Sequence, residues 1–253
     1  MQTTEVKEYA VSSAVAGSIV APRKYSPRIT LASFSAGGFQ FLFAPIMWFL
    51  FRIFTRIEVR GIENLATPNG VILAVNHTSE LDGPLVCATL FHARKYLPLF
   101  FVAKGKSFYR NSGWRNFFYG GLLFKLIGAM PVRSGHHDYE ASLAFFIAAL
   151  QRNKNVLIFP EGERTKDGKI GEVHGGVAFL SEKTGKSVIP VAVNGLLQMS
   201  FLDFILRRRV IGISFGKPLR SGSLISGHHL GDAEKYKSAA TVVMEQSGRM
   251  LAS

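Results

Sequence analysis

Hydrophobic positions follow three rhythms along the chain. The first is an unbroken run. Ile29 to Phe51 carries no charged residue, with Lys24 and Arg28 before it and Arg52, Arg56 and Arg60 after it. Its length suffices to cross a hydrocarbon layer of about 30 Å. Gly37, Gly38, Gln40 and Pro45 interrupt it, however, and positive charge lies on both sides. That charge pattern asks both ends to stay on one side of a membrane. The stretch reads as a membrane-associated helical element over 29–57, re-entrant or interfacial. A single span, or a buried helix with a weak stop, are the alternatives. Trp48, Phe49 and Phe51 beside Arg52 fit a membrane interface. The run starts too late for a signal peptide and shows no small-residue cleavage site. Residues 1–28 are polar and proline-containing and read as a loosely ordered segment.

The second rhythm is a series of short apolar runs. It predicts strands at Val71–Val75, Leu99–Ala103, Ala129–Arg133, Val156–Phe159, Val188–Val193 and Val210–Phe215. The third is helical spacing, which predicts helices at Leu81–Ala93, Gly113–Ile127, Tyr139–Arg152, Gly176–Thr184 and Ala233–Leu251. In Tyr139–Arg152 the apolar residues Leu143, Phe146, Ile147 and Leu150 fall on one face. Gly185 supplies a stop for the helix before it. Strands alternating with helices predict an α/β domain over 58–253, a mostly parallel sheet flanked by helices. No internal repeat interrupts this reading, and 253 residues suit one such domain. In open α/β sheets, ligands sit beyond the carboxyl ends of the strands. "NHTSELD" follows Val71–Val75 and "PEGERT" follows Val156–Phe159, so the two polar clusters are expected to be neighbours.

Composition narrows the partners. Hydrophobic residues make up 47% of the chain, and 30 Lys+Arg against 17 Asp+Glu give a formal charge of +13. Such a surface favours polyanions. Positive charge combined with excess apolar content points to anionic lipid rather than nucleic acid, and no nucleic-acid module is recognisable. "GKSFYRNSGWRNFFYGGLLFKLIG" (Gly105–Gly128) and "FLDFILRRRV" (Phe201–Val210) both read as basic amphipathic surfaces for lipid headgroups. A single cysteine, Cys87, excludes an internal disulfide and a cysteine-built zinc site. The pairs His136–His137 and His228–His229 lack the spacing of a metal site, and no metal is expected.

Three clusters could carry chemistry. His77 and Asp82 come first. A neutral imidazole is suited to accept a proton near neutral pH, and a carboxylate on one ring nitrogen would orient it. Spacing alone leaves a second reading open, in which Asp82 caps the following helix. Ser79 lies between them without the G-x-S-x-G turn of a nucleophile. The second cluster is "FPEGERT", where Pro160 and Gly162 make a turn and Arg164 could grip a phosphate. The third is Arg133 in "PVRSG", which gains meaning only beside Arg164.

"NHTSELD", "PVRSG", "FPEGERT" and "VIPVAVNG", in that order and spacing, resemble the glycerolipid acyltransferase family, in its bacterial-type 1-acyl-sn-glycerol-3-phosphate acyltransferase branch. The resemblance implies the family's α/β acyltransferase fold on a membrane. It implies His77 as general base and Asp82 as its orienter. Glu161 and Gly162 would bind the acceptor, Arg164 with Thr165 and Arg133 would hold its phosphate, and Ile189 and Pro190 would shape the acyl pocket. The donor would be acyl-CoA or acyl carrier protein, with no other cofactor and attachment to the cytoplasmic face of a membrane. Two departures subtract positive charge from the phosphate site. Glu163 stands where the family usually has a small residue. Glu172 and His174 stand where a lysine is common. An acceptor without a phosphate monoester is one alternative, and a non-catalytic lipid-binding membrane protein is the other.

Overall fold

The computed structural model describes residues 26–65, 70–104, 126–132, 138–225 and 232–252. Most of the predicted helix Gly113–Ile127, Arg133 and both histidine pairs lie outside them. Seven strands form one sheet: β1 (Arg56–Arg60), β2 (Ile72–Val75), β3 (Leu99–Lys104), β4 (Ala129–Val132), β5 (Asn155–Ile158), β6 (Val188–Asn194) and β7 (Val210–Phe215). Their order is β1-β7-β6-β2-β5-β3-β4. Strands β2 to β6 run parallel. β7 is antiparallel to β6 and parallel to β1, so the first and last strands close one edge reversed. The expected mostly parallel sheet is what forms.

The central strands are apolar without alternation because both their faces are covered. Ile72 and Ala74 enter one core with α3 (Tyr139–Gln151), α4 (Gly176–Thr184) and α7 (Asp232–Leu251). Leu73 and Val75 enter the other with α2 (Asp82–Thr89) and Phe51 of α1 (Ser26–Phe54). Each fully buried Ile or Leu contributes about 1.5–3 kcal/mol relative to exposure. Local signals set the helix ends. Asp138 caps α3 through Ala141 N (3.0 Å), and Gly185 ends α4 in the left-handed region, φ 67°. The predicted helix Leu81–Ala93 divides into α2 and a 3-10 segment, Leu90–Tyr96, with a break at Ala93.

α1 is one continuous helix, so its interrupting residues do other work. Gln40 is buried, and its side chain takes the place of a strand neighbour. Its Nε2 donates to Leu99 O (2.7 Å) and Ile127 O (2.8 Å), and its Oε1 accepts from Leu99 N (2.8 Å). Gly37 packs beside Pro98, where a Cβ would stand 3.9 Å from the ring at ordinary contact distance. Ala36, Gln40, Ala44 and Phe51 face the domain, while Leu31, Phe34, Phe41, Leu42, Ile46, Phe49 and Ile53 are exposed. The helix is long and apolar enough to cross a membrane. β1 was not foreseen from sequence. Its charged–apolar alternation is short, and its partner β7 lies at the far end of the chain.

Candidate active site

The site is assembled at the carboxyl ends of β2, β3 and β5. After β2, buried Asn76 extends the ladder with its side chain: Nδ2 donates to Val193 O (2.9 Å) and Oδ1 accepts from Val193 N (2.7 Å). The main chain is thereby free to turn. His77 then crosses to the β5 loop. Its N–H donates to Glu161 Oε1 (2.8 Å), and its carbonyl accepts from Thr165 N (2.8 Å). The imidazole stacks on Phe159, with ring centroids 4.0 Å apart and planes 16° apart.

Asp82 is wholly buried and holds the other side of the turn. Its Oδ2 lies 3.0 Å from His77 Nδ1 and accepts from Thr78 N (2.6 Å) and Ser79 N (2.8 Å). Its Oδ1 accepts from Thr78 Oγ1 (3.0 Å). A carboxylate is acceptor-only, so the proton of a neutral ring sits on Nδ1 and Nε2 carries the basic lone pair. The capping reading of Asp82 is replaced. It is the first residue of α2, and its side chain reaches back to the loop instead of bonding the helix's own amides. Ser79 Oγ accepts from Leu81 N (3.3 Å) and serves the turn.

The β5 loop supports this arrangement from below. Glu161 is buried, and its second oxygen accepts from Gly171 N (3.0 Å). Each of its oxygens thus accepts one main-chain amide, which makes Glu161 a tether between the β2 and β5 loops. Gly162 has φ 67°, and a Cβ there would stand 3.1 Å from His174 Cδ2. The left-handed backbone favours glycine, and a Cβ would also crowd the His174 ring. The amides of His77, Thr78, Ser79, Gly162 and Gly171 all have partners. None of them is a ready donor for an oxyanion.

The rim above is exposed and ionic. Arg164 Nη1 meets Glu80 Oε1 at 2.7 Å, and Lys104 Nζ meets Glu163 Oε1 at 2.7 Å. Lys104 holds the Glu163 carboxyl below its usual range. Glu172 pairs with Lys237 of α7 at 2.7 Å, which lowers the carboxyl and raises the amine. Lys104 and Lys237, each from a distant element, thus offset the negative charge that Glu163 and Glu172 bring. Thr165 Oγ1 donates to Asp167 (2.9 Å) and accepts from Gly168 N (3.2 Å), which shapes the loop.

The structure therefore brings together His77, Asp82, Glu161 and Gly162, with Arg164 and Thr165 on the rim. Ile189 and Pro190 pair with Leu73 and Ala74 on β2. Ile189 is packed in the core with Leu73, Leu85 and Leu157, so an acyl chain reaching it would have to part that core. Sequence reasoning missed Lys104, Glu80, Asn76 and Lys237. Lys104 was findable, since it directly follows a predicted strand at the same sheet edge.

A mostly parallel sheet with its polar constellation over the carboxyl edge defines an α/β enzyme of the open-sheet class. Residues 56–194, just over half of the chain, match the family model described as Acyltransferase, and the chain belongs to that family. It is 26% identical over 144 residues to the chloroplastic 1-acyl-sn-glycerol-3-phosphate acyltransferase LPAT1 of Arabidopsis thaliana, covering 56% of this chain and 37% of that one. It is 28% identical over 149 residues to the lyso-ornithine lipid O-acyltransferase of Pseudomonas aeruginosa, covering 58% and 52%. The chain spans about two-fifths to half the length of these curated relatives. The crystal structure of the 1-acyl-sn-glycerophosphate acyltransferase PlsC from Thermotoga maritima shares the fold, with a TM-score of 0.56 at 20% identity over 91% of this chain and 90% of that one.

Proposed function

We propose that the protein moves a fatty acyl group from an acyl thioester, acyl-CoA or acyl carrier protein, to the free hydroxyl of a lysophospholipid. The acceptor proposed is 1-acyl-glycerol-3-phosphate, and the product phosphatidic acid. The observation that carries this is the 3.0 Å contact between Asp82 and His77 Nδ1, on an imidazole clamped from both sides of the loop. His77 Nε2 takes the hydroxyl proton as the oxygen attacks the thioester carbonyl. The C–S bond then breaks, and the same proton is available to the leaving thiolate. Such base catalysis is worth about 10²–10⁴-fold. Arg164 and Lys104 supply the positive charge for the acceptor phosphate, joined by Arg133. The protein works at the cytoplasmic face of a membrane, attached through residues 29–57.

The test is His77→Ala with acyl-CoA and lysophosphatidic acid. Turnover should fall by about 10²–10⁴-fold; near-wild-type turnover would sink the mechanism. A second reading has support in the rim. Glu80 and Glu163 each neutralise a cation there, and one relative is named for a lyso-ornithine lipid. A zwitterionic lyso-lipid would offer a cation to those carboxylates. Mass analysis of products from several lyso-lipids and both thioester donors separates the readings.

A further inference from the structure

The short helix α5 (Phe201–Ile205) and the residues after it are built in an unusual way. Phe201, Leu202, Ile205, Leu206 and Val210 are all exposed, and Phe201 is 76% exposed. Five residues of helix gain little stability alone, so other contacts hold it. Ser200 and Asp203 form a reciprocal capping box. Asp203 also faces Arg208 (4.0 Å) and Arg209 (3.6 Å). Phe204 alone turns inward, against Phe51 (6.0 Å) and Phe54 (5.4 Å) of α1. The fold thus presents five large apolar side chains to the outside, and their exposure stabilises nothing within the chain.

The surroundings say what they face. Through Phe204 the patch continues into the exposed apolar side of α1, which includes Phe49 and Ile53. Arg52, Arg56, Arg207, Arg208 and Arg209 ring the junction, with Arg56 in register beside Val210. Asp203 faces two of them, Arg208 and Arg209. Apolar residues at the level of a basic ring match the boundary of an anionic bilayer. The position fits as well. β1 and β7 run against β2–β6, so their starts lie at the carboxyl edge that carries His77. α5 follows β6 at that same edge. Gln198, just before it, donates to Lys166 O of the β5 loop (3.3 Å).

We propose that α5 and Arg207–Arg209 form a second lipid contact, joined to α1, which seats the carboxyl edge of the sheet against an anionic membrane. The proposal extends the membrane attachment proposed for α1 to a new element, and it does not depend on the chemistry assigned to His77. A contact widened from α1 to α5 fixes a tilt, whereas one helix alone leaves the domain free to swing.

The test uses the full chain and vesicles of phosphatidylcholine with and without phosphatidylglycerol. Phe201→Ser/Leu202→Ser should weaken partitioning into the anionic vesicles by about tenfold or more. Arg207→Gln/Arg208→Gln should lower the preference for anionic over neutral vesicles by about tenfold, since each basic residue adds a few-fold. Melting temperature and turnover of a dispersed short-chain acceptor should not move, because these residues are exposed and away from His77. Lost turnover in His77→Ala with intact partitioning would leave the footprint standing. Unchanged partitioning in both double variants would overturn it. A fluorophore on Leu202→Cys should shift to the blue and be quenched by brominated lipid, and an unquenched probe also overturns it. Concentration-dependent dimers abolished by Phe201→Ser/Leu202→Ser would assign the patch to self-association instead.

Discussion

Glu161 and Glu163 stand on either side of Gly162, and the fold treats them in opposite ways. Glu161 is buried and spends both oxygens on main-chain amides, one of them that of His77. Glu163 is largely exposed and pairs with the Lys104 side chain. The same contrast divides the whole site. Its floor is made of Asn76, His77, Asp82, Phe159 and Glu161, held by hydrogen bonds that are buried at Asn76 and half-buried around His77, Asp82 and Glu161. Its rim is made of Glu80, Lys104, Glu163 and Arg164, held by ion pairs that salt screens and a ligand can displace. A base must be aimed before substrate arrives, because misplacement costs rate. The headgroup clamp proposed for the rim would have to open and close, and exchangeable pairs suit that.

Substitutions on the floor should strike turnover. Asp82→Asn keeps the shape and removes the charge that orients the imidazole, and should lower kcat by about 10²–10⁴-fold in steady-state assays with a folded protein by circular dichroism. A kcat within threefold of wild type would show that the floor does not aim the base. Glu161→Gln is a milder disturbance. It should reduce kcat by about tenfold to a hundredfold while KM stays within about twofold, since Glu161 acts on His77 through its backbone. A change confined to KM would return Glu161 to the acceptor.

Substitutions on the rim should strike affinity. Glu80→Gln releases Arg164 and should lower KM for a phosphate-bearing acceptor by about threefold to tenfold, with kcat unchanged and the gain fading at high ionic strength. A raised KM would favour an acceptor that brings its own cation. The smallest effect concerns the floor's interior. Burial pushes the Cys87 thiol from an ordinary 9.0 up to about 12. Between those values the unfolded chain loses that proton and the folded one keeps it, so stability falls as pH rises through this window. Cys87 should therefore resist thiol reagents at neutral pH until the chain unfolds. Rapid labelling of native protein would mean that α2 opens readily.

Most of the sheet was legible because apolar runs bounded by turn residues report burial directly. Val210–Phe215 and Gly176–Thr184 match their predicted limits. The floor was legible as to membership, since His77, Asp82, Glu161 and Gly162 follow strands that share an edge. Its wiring was not. Nothing local says that Glu161 will spend itself on an amide 84 positions away, or that Lys104 will reach Glu163 across 59. Side-chain pairing over such separations is set by sheet order, and order is not written in periodicity. Gln40 misled for the same reason. A polar residue in an apolar run looks like an interruption until the strand end it bonds is in view.

The reversed pair β1 and β7 has a consequence for how the chain is made. β1 follows α1 directly, and its neighbour in register is synthesised roughly 150 residues later. At about 5–20 residues per second, the ribosome takes on the order of ten to thirty seconds to deliver it. During that interval the apolar helix is already out and β1 has an open edge. Lipid that takes up α1 in those seconds would shield the nascent chain from its neighbours, so the membrane surface proposed for the folded protein would also act as its first folding partner.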